Sequence, residues 1–201
     1  MLAMDDDEAY ILLVLSDSNL PTGSFVASSG LESYVKHGFA SNPDSAIINF
    51  VRDSLVSSAH STLPFVSDAH RIVSRLNTSG GDDKNHCATV MDDLSALDDL
   101  YDVMTLNHVT KRASRSQGMA LLSLYSKGFS RPPSISAFLD KDMESRQSRM
   151  SNLFEGFKLQ ARREEGHGHL PVCWGALTAA LGLTLGMQTR ITFSKPPESV
   201  S

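Results

Sequence analysis

Two histidines separated by one glycine form the pattern with the clearest chemical potential in this 201-residue sequence. His167 and His169 could both reach one metal ion in an extended loop, and Glu164 and Glu165 precede them as possible oxygen ligands. The same stretch also fits a polar hinge before Pro171, with no ligand role at all. The sequence therefore leaves two readings open here, a metal-binding loop or a flexible connection.

Motifs for catalysis are missing from the sequence. It has no Gly-x-Ser-x-Gly nucleophile elbow, no phosphate-binding loop and no dinucleotide fingerprint. Cys173 lies in an apolar run, where desolvation disfavours the reactive thiolate, and Cys87 lies in a polar stretch without a clear partner. We therefore expect a protein that is not an enzyme.

Composition and charge restrict the partners and the compartment. The net charge of −5 argues against nucleic-acid binding, which usually needs a basic face. The two cysteines lie far apart and no basic segment precedes the first apolar run, which predicts a cytoplasmic protein with reduced thiols. Residues 171–187 carry no charge but barely reach spanning length, which favours a buried helix over a membrane span.

Helical periodicity dominates the chain, so we expect an all-α protein. The strongest apolar stripe repeats at three and four residues over positions 91–104. Asn42 and Pro43 predict a helix start, and Phe65 to Leu76 read as a separate helix. We predict a single bundle of about seven helices over residues 10–187, with disordered ends at residues 1–9 and 188–201.

Two charged clusters on the predicted helices could meet a partner. Ser114 and Gly118 lie four residues apart, and such small side chains permit another backbone to approach closely. Arg112 and Arg115 flank Ser114, and Arg115 suits a bidentate contact with a carboxylate at an interface, although local packing explains it equally well. The other cluster is an acidic helix face, read either as a solvated surface or as a site for a basic partner: Asp92, Asp93, Asp99 and Asp102.

The segment from Leu12 to Tyr34 has the most specific pattern, LLVLSDSNLPTGSF followed by SSGLESY. It resembles the N-terminal motif of the urease accessory protein F family, D-S-x-L-P-x-G-x-F and then G-L-E-x-Y. Three later segments resemble the same family in the same order: LDDL at 97–100, RAS…GMALL at 112–122, and HLPVCWG…LG at 169–182. The resemblance covers about residues 10–187.

The resemblance implies an all-helical, dimeric, cytoplasmic scaffold without chemistry of its own. Such a protein joins the D/H-type accessory protein to the nickel-carrying GTPase of the G type, and the complex docks on apo-urease. Nickel is then handled by the complex, and no cofactor belongs to this chain. The alternative is a small soluble nickel carrier that uses His167 and His169. The residues expected to contact partners are Asp17, Leu20, Pro21, Gly23, Phe25, Glu32, Tyr34, Arg112, Ser114 and Arg115.

The end of the sequence departs from the family pattern. Members continue past the Leu-Gly element with further helices and a motif of the type R-L-x-P-L-G-Q-x-x-G-Q. This chain ends instead in a polar, proline-bearing stretch over residues 188–201. We therefore expect a truncated or altered family member.

Overall fold

The structure, a computed structural model of the chain, describes residues 6–15, 30–37, 43–78, 83–129 and 141–184. These residues form helices and contain no strand, which confirms the predicted all-α fold class. The elements are α1 (Asp6–Leu15), α2 (Leu31–Lys36), α3 (Pro43–Thr78), α4 (Asp83–Met104), α5 (His108–Leu124), a π-helical turn (Tyr125–Phe129), α6 (Lys141–Arg162) and α7 (Leu170–Ala180).

Two helix boundaries differ from the sequence-based expectation. Helix α1 begins at Asp6, so residues 6–9 are helical although we expected disorder there. Helix α3 is continuous through Pro64, where two helices were expected. Proline removes one backbone hydrogen bond from a helix, but the remaining bonds on both sides still form a single element. The predicted tail, residues 188–201, lies outside the described residues.

The chain divides into two compact units, and the boundary between them falls at Pro64 within α3. One unit includes the described residues between Phe25 and Pro64. Within it, the ring of Tyr34 on α2 packs against Phe50 on α3, with ring centroids 5.1 Å apart. The other unit comprises Met1–Ser24 and Phe65–Thr184, and it contains every residue of the polar cluster described below.

The core of the larger unit is built from the second part of α3 together with helices α4 to α7. A leucine side chain that is fully buried in such a core contributes about 1.5–3 kcal/mol of hydrophobic stabilisation. None of the described helices has both the length and the apolar character needed to cross a bilayer. The uncharged run that starts near Pro171 forms α7, a buried helix of 11 residues. The largest fully buried side chains of this unit include Leu76, Leu94, Leu121, Leu122, Met150, Leu153 and Leu177.

Two glycines allow α7 and the loop before it to approach other helices closely. A methyl group at Gly118 on α5 would overlap the carbonyl oxygen of Gly168. A methyl group at Gly175 on α7 would overlap the carbonyl oxygen of Val66 on α3. The predicted close approach of a backbone at Gly118 is therefore confirmed, and that backbone belongs to the loop of the chain itself.

Candidate functional site

Two aspartates on α4 organise a polar cluster at the junction of α4, α5 and the loop that leads into α7. Asp98 and Asp102 are four residues apart, so their side chains project from the same face of the helix. The loop carries His167, Gly168 and His169, and His169 is the N-cap residue of α7. The cluster therefore links two consecutive helices, α4 and α5, to a loop that lies much later in the sequence.

Asp98 fixes the shape of the loop through three hydrogen bonds from backbone N–H groups. Its Oδ2 accepts from the N–H groups of His167 at 2.9 Å and Gly168 at 2.6 Å. Its Oδ1 accepts from the N–H of His169 at 2.9 Å. The side chain is fully buried, and a carboxylate can be accommodated there because backbone donors at a helix N-terminus stabilise negative charge. Gly168 turns the loop with a φ of 69°, a conformation that suits glycine.

Asp102 is neutralised by side chains rather than by the backbone. Lys111 Nζ lies 2.7 Å from its Oδ2, and Arg115 Nη2 lies 2.7 Å from its Oδ1. His169 Nε2 is 3.1 Å from the same Oδ1. Burial by itself would raise the pKa of Asp102, but the hydrogen bonds from the two cationic side chains and from His169 outweigh it and hold that pKa well below its usual range.

The two histidines occupy different environments. Arg115 Nη2 lies 2.6 Å from Nδ1 of His167, and Nε2 of the same ring lies 3.3 Å from Oδ1 of Asp99. His169 is completely buried, and its ring packs against Tyr101 with centroids 5.0 Å apart. Burial lowers the pKa of His169, while the hydrogen bond to the Asp102 carboxylate opposes that shift.

Three side chains of this cluster could hold a divalent ion. One donor atom each from Asp102, His167 and His169 lie within 4.8 Å of one another. Carboxylate oxygen and imidazole nitrogen are donors suited to Zn²⁺ and Ni²⁺. The donor set thus includes both histidines singled out in the sequence and adds an aspartate from α4. The predicted oxygen ligands Glu164 and Glu165 are exposed and do not belong to it.

The remaining predicted site residues that the structure describes lie on α2 and α5. Glu32 on α2 is exposed, and Tyr34 packs on Phe50 as described above. Arg112 is exposed on α5, whereas Ser114 is buried and its hydroxyl accepts the N–H of Leu170 at 3.0 Å. Five predicted contact residues lie outside the described residues: Asp17, Leu20, Pro21, Gly23 and Phe25.

Sequence reasoning missed the role of Asp98, the pairing of Asp102 and the contribution of Lys111. A signal for Asp98 was present, because it follows Leu94 by four residues and precedes Tyr101 by three. It therefore falls within the apolar stripe of α4, and a carboxylate in such a stripe must find partners inside the fold. The pairing of Asp102 with α5 had no comparable signal, because it depends on how two helices pack.

The end of α4 and the start of α5 form an exposed apolar tip. Asn107 caps α5, and its side-chain oxygen accepts the N–H groups of Val109 at 2.9 Å and Thr110 at 3.3 Å. The three-residue connection is therefore ordered, although Leu106 within it is 92% exposed. Exposed apolar groups held together on ordered elements commonly mark interaction surfaces. The residues of this α4–α5 tip are Leu100, Val103, Met104, Leu106 and Val109.

The fold and the site define an all-α protein with an internal ion-pair network and an ordered apolar tip. The UreF family model matches residues 42–190. The chain therefore belongs to the UreF family, the urease accessory protein F family. No solved structure gave a significant match.

Named relatives from several organisms agree with this assignment. The chain is 38% identical to "Urease accessory protein 6" of Cryptococcus neoformans var. grubii, over 88% of this chain and 63% of the relative. It is 28% identical to the "Uncharacterized urease accessory protein UreF-like" of Schizosaccharomyces pombe, over 89% of this chain and 63% of that relative. It is 32% identical to "Urease accessory protein F" of Oryza sativa, over 60% of this chain and 40% of that relative. The chain thus spans less than two thirds of the length of these relatives.

Proposed function

We propose that this protein is a cytoplasmic, non-catalytic scaffold in urease maturation. It joins the D/H-type accessory protein to the nickel-carrying GTPase of the G type, acts as a homodimer, and supports nickel insertion into apo-urease. The observation that carries the proposal is membership of the UreF family across residues 42–190. The nickel in this reaction is cargo of the assembly.

The α4–α5 tip supports a role in protein contacts. Interfaces draw most of their affinity from a few well-ordered apolar side chains near their centre. Val103 and Leu106 are the most exposed members of the tip, and the N-cap at Asn107 holds the start of α5 in place. We place the D/H-type accessory protein on this surface, with the exposed cation Arg112 beside it.

Co-purification with the D/H-type and G-type accessory proteins tests both parts of this proposal. We expect the chain to retain both partners, and the double variant Val103→Ser with Leu106→Ser to lose the D/H-type protein. The matched control is Leu159→Ser, an exposed leucine on α6, which should retain both. Failure of the unaltered chain to bind either partner would refute the scaffold role. Retention of both partners by the double variant would refute only the placement at the tip.

A further inference from the structure

The three donor atoms at the α4–loop junction are arranged as ligands of one ion. Metal–nitrogen and metal–oxygen bonds of about 2.1 Å place neighbouring ligand atoms about 3.0–3.4 Å apart in octahedral and tetrahedral sites. Oδ1 of Asp102 lies 3.1 Å from Nε2 of His169 and 3.8 Å from Nδ1 of His167. The first pair already has the required separation, and the partly exposed His167 ring would move closer to Asp102 to complete the set.

A positively charged group already occupies the position between two of these donors. Nη2 of Arg115 lies 2.7 Å from Oδ1 of Asp102 and 2.6 Å from Nδ1 of His167. Its guanidinium thus neutralises the carboxylate and uses the imidazole lone pair, as a metal ion would. Lys111 contacts the other carboxylate oxygen, Oδ2, so Oδ1 of Asp102 can bind either Arg115 or a metal ion.

Arg115 is exposed enough to be displaced without disturbing the core. Its side chain is 42% exposed, and its buried Nε has no hydrogen-bond partner among the described residues. Beside it lies an open cavity of about 490 Å³ that is lined in part by Glu164 and Met119. A displaced guanidinium could therefore move into this cavity, where the Glu164 carboxylate offers a new partner.

The rest of the cluster would keep the donors in place during such an exchange. The backbone N–H groups of His167 and His169 are bound by Asp98, which takes no part in the donor set. Nδ1 of His169 has no hydrogen-bond partner among the described residues, so nothing on that side fixes which ring nitrogen carries the proton. The single proton of the neutral ring can therefore lie on Nδ1, which leaves the lone pair of Nε2 available to bind a metal.

We propose that Asp102, His167 and His169 bind one divalent transition-metal ion of the Ni²⁺ or Zn²⁺ class, which takes the place that the Arg115 guanidinium fills in its absence. This site goes beyond the scaffold function and does not depend on it. Metal binding and the release of Arg115 are one exchange, so the arginine competes with the metal. Removal of the Arg115 guanidinium should therefore strengthen metal binding, an effect that a merely structural ion-pair network would not produce.

Calorimetric titration of the full chain, free of any affinity tag, with NiCl₂ and with ZnCl₂ tests the site. We expect one ion per chain. The variant His167→Ala should bind at least about tenfold more weakly, since loss of even an outer-shell partner of a metal site has an effect of this size. Arg115→Gln should bind about tenfold more tightly because the competing cation is gone, whereas Arg115→Lys should not.

Two exposed residues of α5 provide matched controls. His108→Ala and Arg112→Gln remove one histidine and one arginine outside the cluster, and both should bind as the unaltered chain does. Thermal unfolding by circular dichroism checks that each variant is folded. If the unaltered chain bound neither metal, the site would be refuted. Binding by His167→Ala as tight as that of the unaltered chain would also refute it. Unchanged or weaker binding by a folded Arg115→Gln would refute the exchange.

Discussion

Asp98 and Asp102 lie one turn apart on the same face of α4, yet different kinds of partner neutralise them. Three backbone N–H groups surround Asp98, and these cannot leave unless the loop itself changes shape. Two cationic side chains and a histidine surround Asp102, and side chains can exchange without unfolding. The comparison indicates that Asp98 maintains the loop, while Asp102 provides a site whose positive partner can be replaced.

The largest effect should follow from Asp98→Ala. Three buried N–H groups would lose their acceptor, and we expect the free energy of unfolding to fall by about 3–5 kcal/mol. Urea unfolding monitored by circular dichroism measures this change. The neighbouring variant Asp99→Ala, which alters an exposed carboxylate, should lose less than about 1 kcal/mol. Equal losses for the two variants would show that Asp98 does not anchor the loop.

Gly118→Ala should have the next largest effect, because it disturbs the same loop from the side of α5. The added methyl would overlap the carbonyl oxygen of Gly168, and we expect a loss of about 2–3 kcal/mol despite the better helix propensity of alanine. Gly128→Ala is the control, since its methyl would meet only the end of Leu124 at 3.9 Å. Gly118→Ala should have a lower midpoint of thermal unfolding than Gly128→Ala. The reverse order would contradict the packing described for the loop.

Asp102→Asn should be milder and should change the response to acid. The folded-state pKa of Asp102 lies below its ordinary value of 3.8, so the unfolded chain takes up this proton first. The stabilisation is therefore present above about pH 4 and is lost as the pH falls further. We expect the variant to lose about 1–2 kcal/mol at neutral pH and to lose less than the unaltered protein below pH 4.

Urea unfolding between pH 3 and pH 7 measures the contribution of Asp102. Asp92→Asn, which alters an exposed aspartate on the same helix, serves as the control and should follow the unaltered protein throughout. If the Asp102→Asn and unaltered curves stayed parallel over this range, Asp102 would not be the group that its cationic partners stabilise.

The smallest effect should come from an exposed ion pair outside the cluster. Arg71 and Asp68 on α3 lie 3.0 Å apart, and both side chains are more than half exposed. Exposed pairs of this kind contribute little, so Arg71→Gln should change the free energy of unfolding by less than about 0.5 kcal/mol. A loss as large as that of Asp102→Asn would mean that partial burial does not explain why the ion pairs of Asp102 stabilise the fold more than this exposed pair does.

The helices could be predicted from the sequence because their signals are local. The apolar stripe around Leu94 and Tyr101 defines α4, and Pro171 marks the start of α7. The continuity of α3 through Pro64 could not be predicted in the same way, because a proline inside an apolar pattern commonly ends a helix. The backbone stays helical on both sides of Pro64, so the proline does not end the helix here.

The candidate site was predictable only in part. The spacing of His167 and His169 indicated that both side chains could reach one metal ion, and the structure places their ring centroids 5.6 Å apart. Asp102 joins them through the packing of α4 against the loop, which no local pattern specifies. Ser114 shows the opposite case, because a residue expected at a partner surface instead accepts a buried N–H within the fold. The family match begins at residue 42, after the N-terminal motif on which the resemblance chiefly rested.

Hydrogen exchange of the chain with and without the D/H-type accessory protein tests the proposed binding of this partner at the α4–α5 tip most directly. Backbone amides that become buried at an interface exchange more slowly in the complex. We predict slower exchange over residues 100–109, which form the α4–α5 tip, when the partner is added. Unchanged exchange over the tip, with slowing confined to other segments or absent altogether, would contradict the placement of the partner on this surface.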